Sequence, residues 1–136
     1  MDPTEQLLRR HYDAWSTADG DAILACFTAD GCMEDVALEA TFAGPAGIRQ
    51  MAARVLDAMA PLQWTPTLIA VDGSVAFSEW CMTGTHSDGL PRIGPATGKP
   101  FTVRGSSVDE IHDGLIHRHR DYWNLTTYQR QVGLLA

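Results

Sequence analysis

The sequence predicts an α+β fold in which short helices come first and a strongly bent sheet follows. The helical patterns all lie within the first 59 residues, whereas β-like runs separated by turn signals fill most of the remainder. Three helices cannot cover both faces of a long sheet, so we expect the sheet to bend around them and leave a cavity, as a half-barrel does. A chain of 136 residues suits one domain with one core, residues 1–136.

The first helix is predicted by its N-terminal signals and by an apolar stripe. Asp2 can cap the helix, and Pro3 suits its first turn. The stripe has helical spacing and consists of Leu8, His11, Tyr12 and Trp15. Gly20 predicts the end of this helix, and Asp21 can cap a short second one.

A third helix and a series of strands are predicted for the rest of the chain. The helix covers about residues 46–59, and Pro61 prevents its extension. Strands are predicted over residues 32–36, 40–43, 64–71, 75–86, 101–112 and 115–125. Residues 112–114 (HDG) predict a tight hairpin, and residues 87–100 form a long loop rich in glycine and proline.

Charge and composition exclude several kinds of partner. Ten basic against seventeen acidic residues give a net charge of −7, which repels nucleic acid and anionic lipid. The N-terminal segment lacks a signal-peptide pattern, and no apolar run approaches the ~20 residues of a membrane span. Three cysteines match no zinc or thioredoxin spacing. We therefore expect a cytoplasmic protein with reduced thiols and no nucleic-acid or membrane partner.

Candidate chemistry concentrates on the last predicted strand. His117, His119 and Asp121 share one face, because side chains alternate along a strand. That face either points to solvent or lines the cavity, where burial would raise the pKa of Asp121 and suit it to proton transfer. The trio can also be interpreted as a metal site. However, the chain has no cofactor motif, and we expect neither a cofactor nor a metal.

Further candidates lie on other strands. Asp35 shares a strand face with Met33, while the adjacent Glu34 must point the other way. His86 ends a strand beside the long loop, where it either acts on a ligand or is solvated. Asp109 could reach the cavity only if a bulge shifts the strand register.

Four ordered segments carry a family resemblance. They are residues 25–35 (ACFTADGCMED), residues 44–49 (GPAGIR), residues 83–99 (beginning TGTH and ending PATGK), and residues 113–134 (with DGLI, RDYWN and QVGL). Together they resemble the nuclear transport factor 2-like superfamily, and in particular its SnoaL-like polyketide cyclase branch. The resemblance implies a cone-shaped, curved antiparallel or mixed sheet wrapped around N-terminal helices, in a single SnoaL-like domain.

The resemblance also implies a function. It implies a cofactor-free acid/base enzyme acting on a small apolar or polycyclic carbonyl compound, most simply an aldol cyclase. Asp121 matches the cyclase acid/base, with His119, His86 or Asp35 orienting the substrate. One alternative is a dehydratase or double-bond isomerase that uses Asp35 and His86. Another is a non-catalytic ligand-binding or dimerisation module, and relatives imply a homodimer.

Aromatic and sulfur-containing side chains are expected to line the substrate pocket. Flat rings suit a planar, small hydrophobic organic ligand. The predicted pocket residues are Tyr12, Trp15, Met33, Trp80, Phe101 and Trp123. The mouth of the pocket is expected near the 87–100 loop.

Overall fold

The computed structural model describes residues 1–135 and confirms the predicted α+β architecture. The described elements are α1 (Pro3–Ser16), α2 (Gly20–Ala25), β1 (Phe27–Asp35), β2 (Ala40–Ala43), α3 (Gly44–Ala58), β3 (Gln63–Asp72), β4 (Val75–Thr85), β5 (Pro100–His112), β6 (Leu115–Trp123) and α4 (Leu125–Gln131). The strands form one open sheet in the order β2-β1-β6-β5-β4-β3. The β1–β6 pair is parallel, and the other pairs are antiparallel.

Helix α1 packs against β3, and α3 packs against β1. The buried apolar side chains of these helices meet the inner face of the sheet in one continuous core. Within residues 1–135, no helix combines the length and the apolar character that crossing a bilayer requires.

The helix starts follow local capping chemistry. Asp2 accepts hydrogen bonds from two backbone N–H groups in the first turn of α1, as predicted. The cap of α2 is Asp19 and not the predicted Asp21, because the helix already begins at Gly20. Asp19 accepts from the backbone N–H of Ala22, which gives a donor of the first turn a partner.

Helix α4 was not expected, since the last predicted strand extended to residue 125. Strand β6 ends at Trp123, and Asn124 caps the helix by accepting from the backbone N–H of Thr127. Tyr128 on this helix is fully buried, and α4 packs against β5. Burial of this face explains why the chain turns helical after Asn124.

A bulge in β6 decides which side chains face the core. The register between β5 and β6 shifts by one residue at His117, which has no partner on β5. Ile116 is buried before the bulge, and both His119 and Asp121 are buried after it. His117 instead contacts the exposed Asp30. The prediction of one common face is therefore wrong for His117, and the metal interpretation loses that ligand.

Candidate active site

A cavity of about 210 Å³ lies on the inner side of the sheet. Its walls come from α1, α3, five of the strands and residues 90–92 of the long loop. All four tryptophans of the chain line it: Trp15, Trp64, Trp80 and Trp123. The walls are mostly apolar, so the few polar groups that reach the cavity must direct any chemistry inside it.

Two carboxylates, Asp35 and Asp121, line the cavity. They are partners in the parallel β1–β6 pair, and both are at least nine-tenths buried. Paired residues on neighbouring strands project to the same face of a sheet. The pairing therefore brings two acids together in an apolar space.

Asp35 is held by hydrogen bonds that leave it in contact with the cavity. The indole Nε1 of Trp123 donates to both carboxylate oxygens at 3.0 Å, and the backbone N–H of Leu38 donates to Oδ1 at 3.0 Å. Burial, and to a lesser degree the charge on Asp121, raise the pKa of Asp35 to about 6. Asp35 can therefore both give and take a proton near neutral pH.

Asp121 is the end of a buried chain of polar groups. His119 places Nε2 2.7 Å from Oδ1 of Asp121, and Ser107 donates its hydroxyl to the same oxygen at 2.6 Å. On its other side, His119 places Nδ1 2.6 Å from Oδ1 of Asp109. Oδ2 of Asp121 takes part in none of these bonds, which leaves it available to a ligand in the cavity.

The geometry defines the charge of His119. A neutral imidazole has one N–H, whereas both ring nitrogens of His119 face carboxylate oxygens that only accept. Burial opposes the charge, but Asp109 and Asp121 together raise the pKa of His119 well above its ordinary value. His119 is therefore an imidazolium between two carboxylates.

Neighbouring aromatic side chains shield this series of hydrogen-bonded polar groups from water. Trp80 donates its indole N–H to Ser107 at 2.8 Å. The His11 ring lies 5.0 Å from the His119 ring, and Trp15 donates to Nε2 of His11 at 3.0 Å. Burial, reinforced by the nearby charge of His119, lowers the pKa of His11 well below its ordinary value, so His11 is neutral.

The structure distributes the sequence-predicted residues over four places, one of which is the separate environment of His86. Those that line the cavity are Asp35, Asp121, Trp15, Trp80 and Trp123. His119 lies behind Asp121. The predicted pocket residues that lie in the core and not among the lining residues are Tyr12, Met33 and Phe101. Their neighbours explain this, since the hydroxyl of Tyr12 hydrogen-bonds Ser78, and Phe101 packs on Tyr128 with ring centroids 4.7 Å apart.

His86 lies in a separate environment. It is fully buried, with Nδ1 2.7 Å from the hydroxyl of Tyr128 and Nε2 2.9 Å from the carbonyl oxygen of Pro95. It is not among the residues that line the cavity, so the structure does not bring His86 together with Asp35. The expectation of a strand-end side chain open to ligand or solvent differs from this placement, because α4 and the loop cover the ring.

Sequence reasoning assigned no role to Ser107, and it considered Asp109 only on the condition of a bulge. Ser107 pairs with Asp121 and Asp109 pairs with His119 across the β5–β6 ladder. Asp109 faces inward by the unbroken alternation of β5, so no bulge on that strand is needed, and it does not line the cavity. The register shift at His117 on β6 instead determines that its partner is His119. A hairpin signal followed by alternating polar residues on both strands was the only available indication.

Several solved structures share this fold. TsrD from Streptomyces laurentii is 26% identical, with a TM-score of 0.85 over 99% of both chains. A hypothetical protein with a ketosteroid isomerase-like fold from Catenulispora acidiphila, solved with trimethylamine, is 25% identical, with a TM-score of 0.83 over 95% of this chain and 93% of that chain. A proposed polyketide cyclase from Xanthomonas campestris, 21% identical with a TM-score of 0.82 over 96% of both chains, shares the fold.

The sequence itself identifies the family. No curated protein sequence gives a significant match. The profile of the SnoaL-like domain matches residues 8–119, which include β1 through β5 and most of α1. The match ends at His119, two residues before Asp121. The chain therefore belongs to the SnoaL-like domain family.

Proposed function

We propose that the protein is a general acid/base enzyme that catalyses aldol cyclisation of a small apolar carbonyl compound. The observation that carries the proposal is the convergence of Asp35 and Asp121 on one mostly apolar cavity, whose lining also includes Arg54 and Arg92. Their environments differ, because Asp121 is paired with the imidazolium of His119 whereas Asp35 has a pKa of about 6. Two neighbouring acids in unlike environments are suited to the roles of base and acid.

In the proposed reaction, Oδ2 of Asp121 removes a proton from the carbon next to a carbonyl group. The resulting enolate carbon attacks a second carbonyl of the same molecule, which forms a carbon–carbon bond and an alkoxide. Asp35, in its protonated form, donates its proton to the alkoxide. Loss of the proton from Asp121 to water and reprotonation of Asp35 then restore the starting state, so the product is an isomer of the substrate.

The cavity walls contribute by positioning. Tryptophan rings suit a planar, polycyclic substrate. A cavity that holds the substrate in a folded conformation brings the two carbonyl groups of the substrate together. The trimethylamine in the Catenulispora structure supports the idea that this fold accepts a small organic molecule. Membership of the SnoaL-like family, with proposed polyketide cyclases among the structural neighbours, supports a carbonyl substrate.

Double-bond isomerisation is the second candidate. The pKa of Asp35, about 6, favours a group that removes a proton and returns it to another carbon of the same substrate. In this alternative Asp35 is the base, and His86 has no part in it. The two reactions share their first step, removal of a proton next to a carbonyl.

That shared step can be tested with 2-tetralone, a bicyclic ketone with acidic protons next to its carbonyl. Proton NMR in D₂O should record faster exchange of these protons for deuterium in the presence of the protein. Asp121→Asn should slow the catalysed exchange about 10²- to 10⁴-fold, because Asn keeps the shape but removes the basic oxygen. Asp30→Asn, an exposed acid on β1, should exchange at the wild-type rate.

Binding and exchange are measured separately. All four tryptophans line the cavity, so their fluorescence should report entry of 2-tetralone. Binding without catalysed exchange would contradict the proposal and favour a non-catalytic ligand-binding module. Exchange that persists in Asp121→Asn but stops in Asp35→Asn would favour the isomerase alternative.

A further inference from the structure

Asp109 is a completely buried carboxylate that does not line the cavity. Its Oδ1 accepts from His119, while its Oδ2 is buried without a hydrogen-bond partner among the described residues. Burial of a carboxylate with an unpaired oxygen is costly, and an apolar side chain of similar size would avoid that cost. The presence of a carboxylate at this buried position therefore calls for a functional explanation.

We propose that Asp109 is a positioning residue: it keeps His119 doubly protonated, so that Nε2–H always holds Oδ1 of Asp121 and leaves Oδ2 free to act as the base. This role rests on the function proposed for Asp121. Asp109 touches neither the cavity nor the substrate and acts only through His119.

The orientation of Asp121 depends on the number of protons that the His119 ring carries. In one neutral tautomer the N–H faces Asp109, so the lone pair of Nε2 faces Oδ1 of Asp121 and repels it. In the other tautomer the lone pair faces Asp109 instead. Only the imidazolium donates in both directions, and the negative charge of Asp109 stabilises it.

Asp109 also balances the charge of His119. With Asp109 present, the cation is shared between two carboxylates at nearly equal distances, 2.6 and 2.7 Å. Nε2–H thereby holds Asp121 in a fixed orientation, while Asp109 shares the charge of the cation.

The other groups around His119 do not supply this charge. From α1, the ring of His11 faces it and is neutral. From β3, Trp64 packs edge-on at 6.0 Å. From β1, the uncharged Met33 is paired with His119, and Asp35 is paired with Asp121. Among the described neighbours, Asp109 and Asp121 are thus the groups that control the protonation of His119.

The state of the ring can be measured directly by ¹H–¹⁵N NMR of the histidine side chains, with His119→Gln to assign the signals. In the wild type, His119 should be an imidazolium at pH 7. In Asp109→Asn it should lose its proton at a lower pH than in the wild type. The variant should exchange 2-tetralone about 10- to 100-fold more slowly, the usual effect of a partner that orients a functional histidine, with a further fall as His119 deprotonates.

Glu110→Gln is the matched control. It removes the same charge from the next residue of β5, where Glu110 pairs with Arg120 outside the core. Its His119 signals and its pH–rate profile should equal those of the wild type. A neutral His119 in the wild type at pH 7 would overturn the proposal, even if Asp109→Asn failed to fold. So would unchanged protonation and rate in a folded Asp109→Asn.

The two proposals can fail separately. If the wild type catalyses no exchange, the proposed function fails, whatever the spectrum of His119 shows. If exchange depends on Asp121 but not on Asp109, the function stands and only the positioning role is lost.

Discussion

Two histidines of this molecule are equally buried but have partners of different charge. His119 and His86 are both fully enclosed, and each uses both ring nitrogens. His119 faces two carboxylates, Asp109 and Asp121, whose oxygens can only accept hydrogen bonds. His86 faces the hydroxyl of Tyr128, which can donate, and a carbonyl oxygen of the loop. A neutral ring satisfies His86, since Nε2–H donates to the carbonyl and Nδ1 accepts from the hydroxyl.

The comparison teaches that burial alone does not mark a catalytic histidine. The charge of the hydrogen-bond partners determines the protonation of the ring. Proximity to the cavity determines whether the protonated ring can influence a reaction there. His86 also joins the two ends of the long loop, because its backbone N–H donates to Lys99 and its carbonyl accepts from Gly98. We interpret His86 as a structural residue that links the long loop to α4, and His119 as a part of the proposed active site.

The largest expected effect on stability is that of His86→Ala, which tests the structural role of His86. His86→Ala removes the buried partner of Tyr128 and of the loop carbonyl and leaves a cavity, which should lower the free energy of unfolding by roughly 2–4 kcal/mol. The rate of 2-tetralone exchange, measured well below the melting temperature, should change little. Urea denaturation and the NMR assay measure the two quantities. Unchanged stability with slow exchange would instead support a catalytic His86.

A second prediction changes the cavity charge without touching either histidine. The folded-state pKa of Asp35, about 6, is raised above the ordinary value, so ionisation of Asp35 destabilises the fold. The penalty is absent below about pH 4, where Asp35 is protonated in both states, and grows between about pH 4 and 6. Above this window it is complete, at about 3 kcal/mol for a shift of roughly two pH units.

Asp35→Asn should therefore be more stable than the wild type at pH 8, by up to about 3 kcal/mol, and by less than about 1 kcal/mol at pH 4. Urea denaturation at a series of pH values gives the difference. Glu34→Gln is the control, because it removes a neighbouring acid that pairs with Arg118 at the surface. A destabilised Asp35→Asn at pH 8 would mean that the bond from Trp123 outweighs the burial of the charge.

The third prediction concerns the neutral member of the buried chain. Ser107→Ala leaves the indole N–H of Trp80 without an acceptor and removes one of two donors to Asp121, which should cost about 1–2 kcal/mol of stability. Exchange should slow less than in Asp109→Asn, because His119 still holds Asp121. Ser106→Ala, exposed on the same strand, should match the wild type in both assays. A rate loss as large as that of Asp109→Asn would indicate that Ser107 is the main support of Asp121.

Local sequence patterns were sufficient to predict the order and type of most elements. The apolar stripe of α1 and the turn at residues 112–114 depend on neighbours in the chain, and the structure contains both. Helix α4 depends instead on the burial of Tyr128 against the sheet, which no pattern in residues 125–131 reveals. The loop signal at residues 87–100 was correct, but the burial of His86 beneath it required α4.

The candidate site was less predictable, because its geometry depends on strand register. Counted outward from the hairpin without a bulge, Asp109 would face Arg118. The extra residue at His117 moves it opposite His119 and creates the buried chain. One unpaired residue thus makes His119, and not Arg118, the inward-facing partner of Asp109, and no local sequence pattern indicates this change.

A substitution at the bulge, His117→Ala, has the smallest expected effect on stability and on exchange. His117 belongs by simple alternation to the face of His119 and Asp121, but the register shift turns it toward Thr28 and Asp30. Its ring stacks on that of His112, with centroids 4.2 Å apart, at the surface end of the hairpin. His117→Ala should therefore change the melting temperature by no more than about 2 °C and leave 2-tetralone exchange unchanged.

The matched comparison is His119→Ala, which alternation alone would treat as equivalent to His117→Ala. Removal of His119 leaves Asp109 and Asp121 as two buried carboxylates without their shared cation, so both stability and exchange should fall. Equal losses in the two variants would place His117 on the inner face and contradict the bulge. A silent His117→Ala beside a damaged His119→Ala would mean that register, and not the spacing of histidines along the chain, selects the residue that supports Asp121.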